Sequence, residues 1–156
     1  MAAVLGSLQL RLGPPDYEVA LDRGMPVVHL PPARLLETVR LLKSDFQFDL
    51  FLDVTAIDWL PRQPRFELVY HFYSTSHFGR VRLKTPVTDA DPTVDSLVSL
   101  YGSAGLMERE CHDMYGIGFR GNADLRPILL YEGFEGHPLR KDYPIRLEQP
   151  LVRFRK

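Results

Sequence analysis

Phe48-Asp49-Leu50-Phe51-Leu52-Asp53-Val54-Thr55-Ala56-Ile57, Phe66-Glu67-Leu68-Val69-Tyr70-His71-Phe72-Tyr73 and Arg80-Val81-Arg82-Leu83-Lys84-Thr85-Pro86-Val87 are three runs of near-alternating side chains. Successive strand residues point to opposite faces, so a period of two signals a strand with one buried face. In the first run Phe48, Leu50, Leu52, Val54 and Ala56 are expected to share a face, opposite Asp49, Phe51, Asp53, Thr55 and Ile57. In the second, Phe66, Leu68, Tyr70 and Phe72 form the apolar set; in the third, Val81, Leu83, Thr85 and Val87 do. The proline-rich stretch 58–64 and the turn 74–79 join the runs, which predicts an antiparallel meander over residues 48–87.

Upstream, Val27–Leu30 reads as a short strand stopped by Pro31-Pro32. Leu35, Leu36, Val39 and Leu42 then recur at helical spacing, predicting an amphipathic helix that ends near Ser44-Asp45. Downstream, Asp89-Ala90-Asp91-Pro92 has the form of a helix start, and Val94, Leu97, Val98 and Tyr101 supply a stripe. A further helix is expected from Leu106 to Tyr115, closed by Gly116. The fold class is therefore α+β: a two-layer domain over residues 1–131, with helices packed on a mostly antiparallel or mixed sheet, followed by an extended tail over residues 132–156.

The 156 residues suffice for one domain with a real core, and 45% apolar with 25% charged composition excludes coiled coil and wholesale disorder. Cys111 is the single cysteine, so this chain cannot by itself form an internal disulfide or a four-thiolate metal or iron–sulfur site. No run approaches the ~20 apolar residues of a membrane helix. Met1 to Leu10 has no basic residue ahead of its apolar stretch and does not read as a signal peptide. The net charge of −1 conceals an asymmetry: from Gly136 onward six basic residues (Arg140, Lys141, Arg146, Arg153, Arg155, Lys156) face two acids. Pro138, Pro144 and Pro150 favour extended chain there. The tail lacks an aromatic stacking ladder, so no nucleic-acid partner is expected.

Glu108-Arg109-Glu110-Cys111-His112-Asp113 is the densest polar cluster. Glu108 with His112, and Arg109 with Asp113, have the i,i+4 spacing of neighbours on a helix face, which reads as a charged face paired with another surface. Cys111, His112 and Asp113 are consecutive and point in three directions on a helix, so a thiol or metal hydrolase is the weaker alternative. Arg109 is expected to be held by Asp113 or another carboxylate. Its removal is expected to impair folding or assembly strongly, since a buried pair that loses one partner costs about 3–5 kcal/mol, against roughly 0–1 kcal/mol for a surface pair.

Residues 108–119, Glu-Arg-Glu-Cys-His-Asp-Met-Tyr-Gly-Ile-Gly-Phe, resemble the E-R-E-x-x-D-x-x-G-I-x-F signature of the C-subunit family of NADH–quinone oxidoreductase (respiratory complex I). Residues 133–144, Gly-Phe-Glu-Gly-His-Pro-Leu-Arg-Lys-Asp-Tyr-Pro, resemble that family's second block, and Asp124-Leu125-Arg126-Pro127-Ile128-Leu129 its D-L-R-R-I-L. Asn122-Ala123 stands where the family has a His-Pro, and 101–107 departs from its aromatic W-P-A-A-N-W stretch. The resemblance implies a non-catalytic peripheral-arm subunit that binds no cofactor or metal itself. The whole complex would use FMN, iron–sulfur clusters, NADH and quinone. The implied partners are the large quinone-site (D) subunit and other peripheral-arm subunits of complex I. The membrane is reached only through the complex, on the cytoplasmic side of the bacterial inner membrane. Implied contact residues are Glu108, Arg109, Glu110, Asp113, His137, Pro138, Leu139, Arg140, Lys141, Asp142 and Tyr143. The alternative reading is an equivalent subunit of a membrane-bound hydrogenase or F420H2 dehydrogenase, which the motif does not exclude. The tail is expected to lie outside the body and to gain order against a partner.

Overall fold

The computed structural model describes Tyr17–Gln149; the readings made above for Met1–Leu10 and for Pro150–Lys156 lie outside the described residues. The expected meander is present as β3 (Leu50–Asp58), β4 (Phe66–Ser74) and β5 (Gly79–Val87), paired antiparallel in sequence. A hairpin of β1 (Glu18–Asp22) and β2 (Met25–His29) joins through β2, which runs parallel to β5. The sheet order is β1-β2-β5-β4-β3, so the sheet is mixed. The β1–β2 turn places Arg23 and Gly24 at φ 51° and 80°, the left-handed pair that suits a two-residue hairpin.

Helix α1 spans Leu35–Ser44 and buries Leu35, Val39 and Leu42, as its stripe predicts. Helix α2 spans Ala104–Tyr115 and packs chiefly on β3. Phe66, Leu68, Tyr70 and Phe72 from β4 join Val81, Leu83 and Val87 from β5 in one core with residues of both helices. Fully burying each large apolar side chain contributes about 1.5–3 kcal/mol. The opposite sheet face carries the Lys84–Glu67 and Arg82–Asp22 pairs, at 2.9 and 3.0 Å.

Two expectations fail locally. Strict alternation along the first strand breaks at Leu52: Phe51 pairs with Phe72 but Asp53 with His71, so one extra residue bulges out. Phase therefore flips, and Phe51 is buried with Val54 and Ala56, while Leu50 and Leu52 are exposed. Nor is there a helix after Asp91-Pro92. Thr93–Asp95 forms strand β6, parallel to β7 (Gly118–Arg120). The backbone N–H of Ser96 goes to the Arg120 carbonyl and that of Leu97 to the Glu108 carboxylate, so these donors are spent outside any helix. A single turn follows, with the N–H groups of Leu100 and Tyr101 returning to the Leu97 carbonyl. Val94, Leu97 and Tyr101 are buried all the same.

Candidate interaction site: helix α2 and the segment it holds

Helix α2 turns Glu108, Arg109, His112 and Asp113 toward its own chain. Glu108 is fully buried, and the surface its helix face meets here is the chain's own 96–122 segment. Its carboxylate accepts from the Ser96 hydroxyl (2.7 Å), the Leu97 N–H (2.7 Å) and the Asn122 amide (3.0 Å). Burial pushes this carboxyl above the ordinary range, against the pull of those three donors. His112 lies i,i+4 from Glu108, yet its Nδ1 reaches the Ile117 carbonyl at 2.9 Å.

Arg109 does not pair with Asp113. Its guanidinium forks onto the carbonyls of Arg126 (2.7 Å) and Pro127 (2.8 Å) and meets Asp124 at 3.4 Å. Asp113 takes the next three backbone donors: the N–H groups of Ile128, Leu129 and Leu130 reach one carboxylate oxygen at 3.0, 2.9 and 2.9 Å. Burial opposes ionisation there, but these N–H groups outweigh it and hold the carboxyl below its ordinary range. Arg109 is thus half-buried and partnered mainly by exposed carbonyls. Arg109→Ala should lower unfolding stability by about 1–2 kcal/mol, between the two values weighed above, as read from the urea midpoint.

The C-terminal end of α2 holds the second motif. Gly116 closes the helix at φ 72°. A Cβ there would lie 2.4 Å from His137 Nε2 and 2.7 Å from Arg140 Nη2, so glycine lets the later segment approach. His137 Nδ1–H donates to the Asp113 carbonyl (2.9 Å), the Leu139 N–H to the Met114 carbonyl (3.1 Å) and Arg140 Nε–H to the Tyr115 carbonyl (2.6 Å). These are the carbonyls a helix terminus leaves unpaired. Residues 137–143 are therefore seated on the body. The seat depends on hydrogen bonds and ion pairs, so it needs little of the apolar periodicity the tail lacks.

A second anchor lies at the end of β3. Arg65 is buried and donates to Asp58 through Nε and Nη2 at 3.0 and 2.8 Å. It also meets Asp89 (3.1 Å) and Asp142 (2.8 Å), while the Lys141 N–H donates to Asp58 at 2.8 Å. Burial works against the Asp58 charge, but Arg65 and the N–H groups of Lys141 and Leu60 keep its carboxyl far below the ordinary range. Arg140 lies over the Phe66 ring, 5.1 Å from its centroid. Tyr143 stacks on Phe134 at 6.0 Å. Pro138 is half-buried, and Glu110, Leu139 and Lys141 project to solvent.

Asp58, Arg65, Asp89, Asn122 and Asp124 are the participants that sequence reasoning missed. Asp58 and Lys141 are 83 residues apart, and no local spacing links them. Cys111 is buried in the core, where burial pushes its thiol far up. Cys111, His112 and Asp113 diverge to the core, to Ile117 and to residues 128–130, so they form no nucleophile–base arrangement. Among the described residues no three potential ligands converge on a metal position. No described helix is long and apolar enough to cross a membrane.

Fold and site define an α+β domain whose second helix organises its own extended C-terminal segment. The chain belongs to the family of the respiratory-chain NADH dehydrogenase 30 kDa subunit, whose profile matches residues 28–149. It is 42% identical over 124 residues to the NADH-quinone oxidoreductase C subunit of Citrifermentans bemidjiense, covering 80% of this chain and 77% of the relative. Among solved structures it resembles a trypsin-resistant fragment of Nqo5, with a TM-score of 0.70 and 29% identity over 80% of this chain and 98% of that one. A chain of an archaeal membrane-bound sulfane sulfur reductase shares the fold at a TM-score of 0.80 and 23% identity, covering 98% of both chains.

Proposed function

We propose that this chain is a non-catalytic peripheral-arm subunit of a proton-translocating NADH–quinone oxidoreductase, packed against the large subunit that forms the quinone site. The observation that carries this reading is how the motif side chains are used. Glu108, Arg109, Asp113, His137, Arg140 and Asp142 are engaged in holding the chain's own segments. Side chains committed to such bonds are poorly placed for proton transfer or ligand exchange, and well suited to rigid presentation of a surface. Glu110, Pro138, Leu139, Lys141 and Tyr143 line the outside of the same region and supply contacts to the partner. Residues 132–156 act as its partner-binding tail, and the basic charge at its end favours an acidic partner face. FMN, the iron–sulfur clusters and the NADH and quinone sites belong to other subunits. The membrane is reached through them, from the cytoplasmic side.

A tagged full-length chain expressed in its native host should co-purify with the quinone-site subunit and the other peripheral-arm subunits. Truncation after Gly136 should abolish this. Purified alone, the chain should neither oxidise NADH nor reduce quinone, and should show no flavin or iron–sulfur absorbance. Recovery of the tagged chain without any oxidoreductase subunit would overturn the reading.

A further inference from the structure

The segment 126–130 inverts the usual arrangement of a loop. Each of its residues has a backbone group bound by a charged side chain, while the apolar side chains of Ile128 and Leu129 are not buried. Arg109 takes the carbonyls of Arg126 and Pro127, and Asp113 takes the N–H groups of Ile128, Leu129 and Leu130. Asp124 further holds Arg126 through its N–H and its guanidinium, at 3.3, 2.7 and 2.9 Å. Two charged side chains of one helix thus fix five consecutive residues, yet Ile128 and Leu129 remain 40% and 60% exposed. An apolar pair left in water gains nothing for this fold. Held rigidly, it avoids the ordering cost that a mobile loop incurs on binding.

We infer that Ile128 and Leu129 form a preorganised apolar knob that inserts into an apolar pocket of a neighbouring subunit. The inference rests on the assignment to a multi-subunit complex and adds the contact residues. Surrounding charges decide the class of occupant. Arg126 and Arg109 are both engaged with Asp124, and Glu132 and Glu135 follow on the exposed side. Arg126 and Arg109, the basic residues bound to this segment, are thus already paired and offer little to lipid headgroups or nucleic acid. Paired charges around an apolar centre match the core-and-rim pattern of protein interfaces. Two side chains cover little of the ~1,200–2,000 Å² that a stable protein pair buries. The knob therefore serves as the anchor within a larger heteromeric face, with the tail as its neighbour in sequence. A second copy of this chain would have to meet the knob with a pocket of its own.

The test uses the full chain in its native complex. Leu129→Glu combined with Ile128→Glu should leave the melting temperature of the purified chain within about 2 °C, because neither side chain is in the core. The same pair should cut co-purification of the other subunits at least tenfold. Ile128→Val with Leu129→Met should retain it. A photo-crosslinking residue at position 129 should join this chain to a different subunit. Wild-type assembly of the double-glutamate chain would overturn the inference, as would a crosslink only to a second copy, while co-purification of the wild-type chain would leave the broader assignment standing. Should the double variant fail to fold, the crosslink alone decides.

Discussion

Arg65→Met should be among the most damaging single substitutions in the described chain. The side chains of Arg65 and Asp58 are 3% and 2% exposed, so removing the cation leaves a buried carboxylate without its counter-charge. Breaking such a pair costs about 3–5 kcal/mol, against roughly 0–1 kcal/mol for an exposed one. It also frees Asp142, and with it one of the two anchors that seat residues 137–143. Methionine keeps most of the volume over Phe66, so the loss reports charge and hydrogen bonding and not a cavity. The pH dependence separates these further. Burial opposes the Asp58 charge but its hydrogen-bond donors win, and Arg65 depresses Asp142 as well; both carboxyls lie below the ordinary value of 3.8. Depressed carboxyls stabilise the fold fully above their unfolded value, and that stability drains as pH falls below it. Wild-type stability should therefore fall steeply below about pH 4, and the Arg65→Met curve should be flatter there. Denaturant midpoints measured from pH 7 down to pH 3 check both points; a parallel acid limb in the variant would remove Arg65 from its role as counter-charge.

The strands of the meander were legible because their alternation is a local property. Phe66 to Phe72 and Val81 to Val87 each put one apolar side toward one core, and the structure buries those sides. The bulge at Leu52 was not legible, since both phases of that strand contain apolar residues and only pairing with β4 chooses between them. The missing helix after Pro92 has a similar cause. Its apolar spacing is real and its residues are buried, but Glu108 and Arg120, distant in sequence, capture the backbone donors. The motif residues were visible as a cluster, and the resemblance led to the right family. What each one touches was not visible. The i,i+4 rule offered Asp113 for Arg109, whereas both side chains reach the segment 124–130, which repeats no pattern a spacing rule could read.

Glu108→Ala is expected to rival the Arg65 variant, through a different cause. The wild-type carboxylate is wholly buried and satisfies a backbone N–H, a hydroxyl and an amide. Truncation leaves the Leu97 N–H without a partner at a cost of about 1–3 kcal/mol. It also opens a cavity beneath α2, where lost contacts typically add further. A total on the order of 3 kcal/mol should appear as a lower melting temperature, and the β6–β7 pair should lose hydrogen-exchange protection first. Glu108→Gln keeps the volume and one acceptor and should cost less. Its pH dependence runs opposite to that of Arg65. Burial raises the folded Glu108 carboxyl above its ordinary value of 4.5, so the folded state binds the proton more tightly than the unfolded one. That contribution is complete below the unfolded value and is lost as pH rises through the raised folded one. The deficit of Glu108→Gln relative to wild type should thus be largest in acid and shrink as pH rises from about 4.5. A deficit that grows with pH would mean that the three donors, and not burial, dominate this carboxyl. The buried acid would then act as a fixed anionic brace between the two ends of the 96–122 segment.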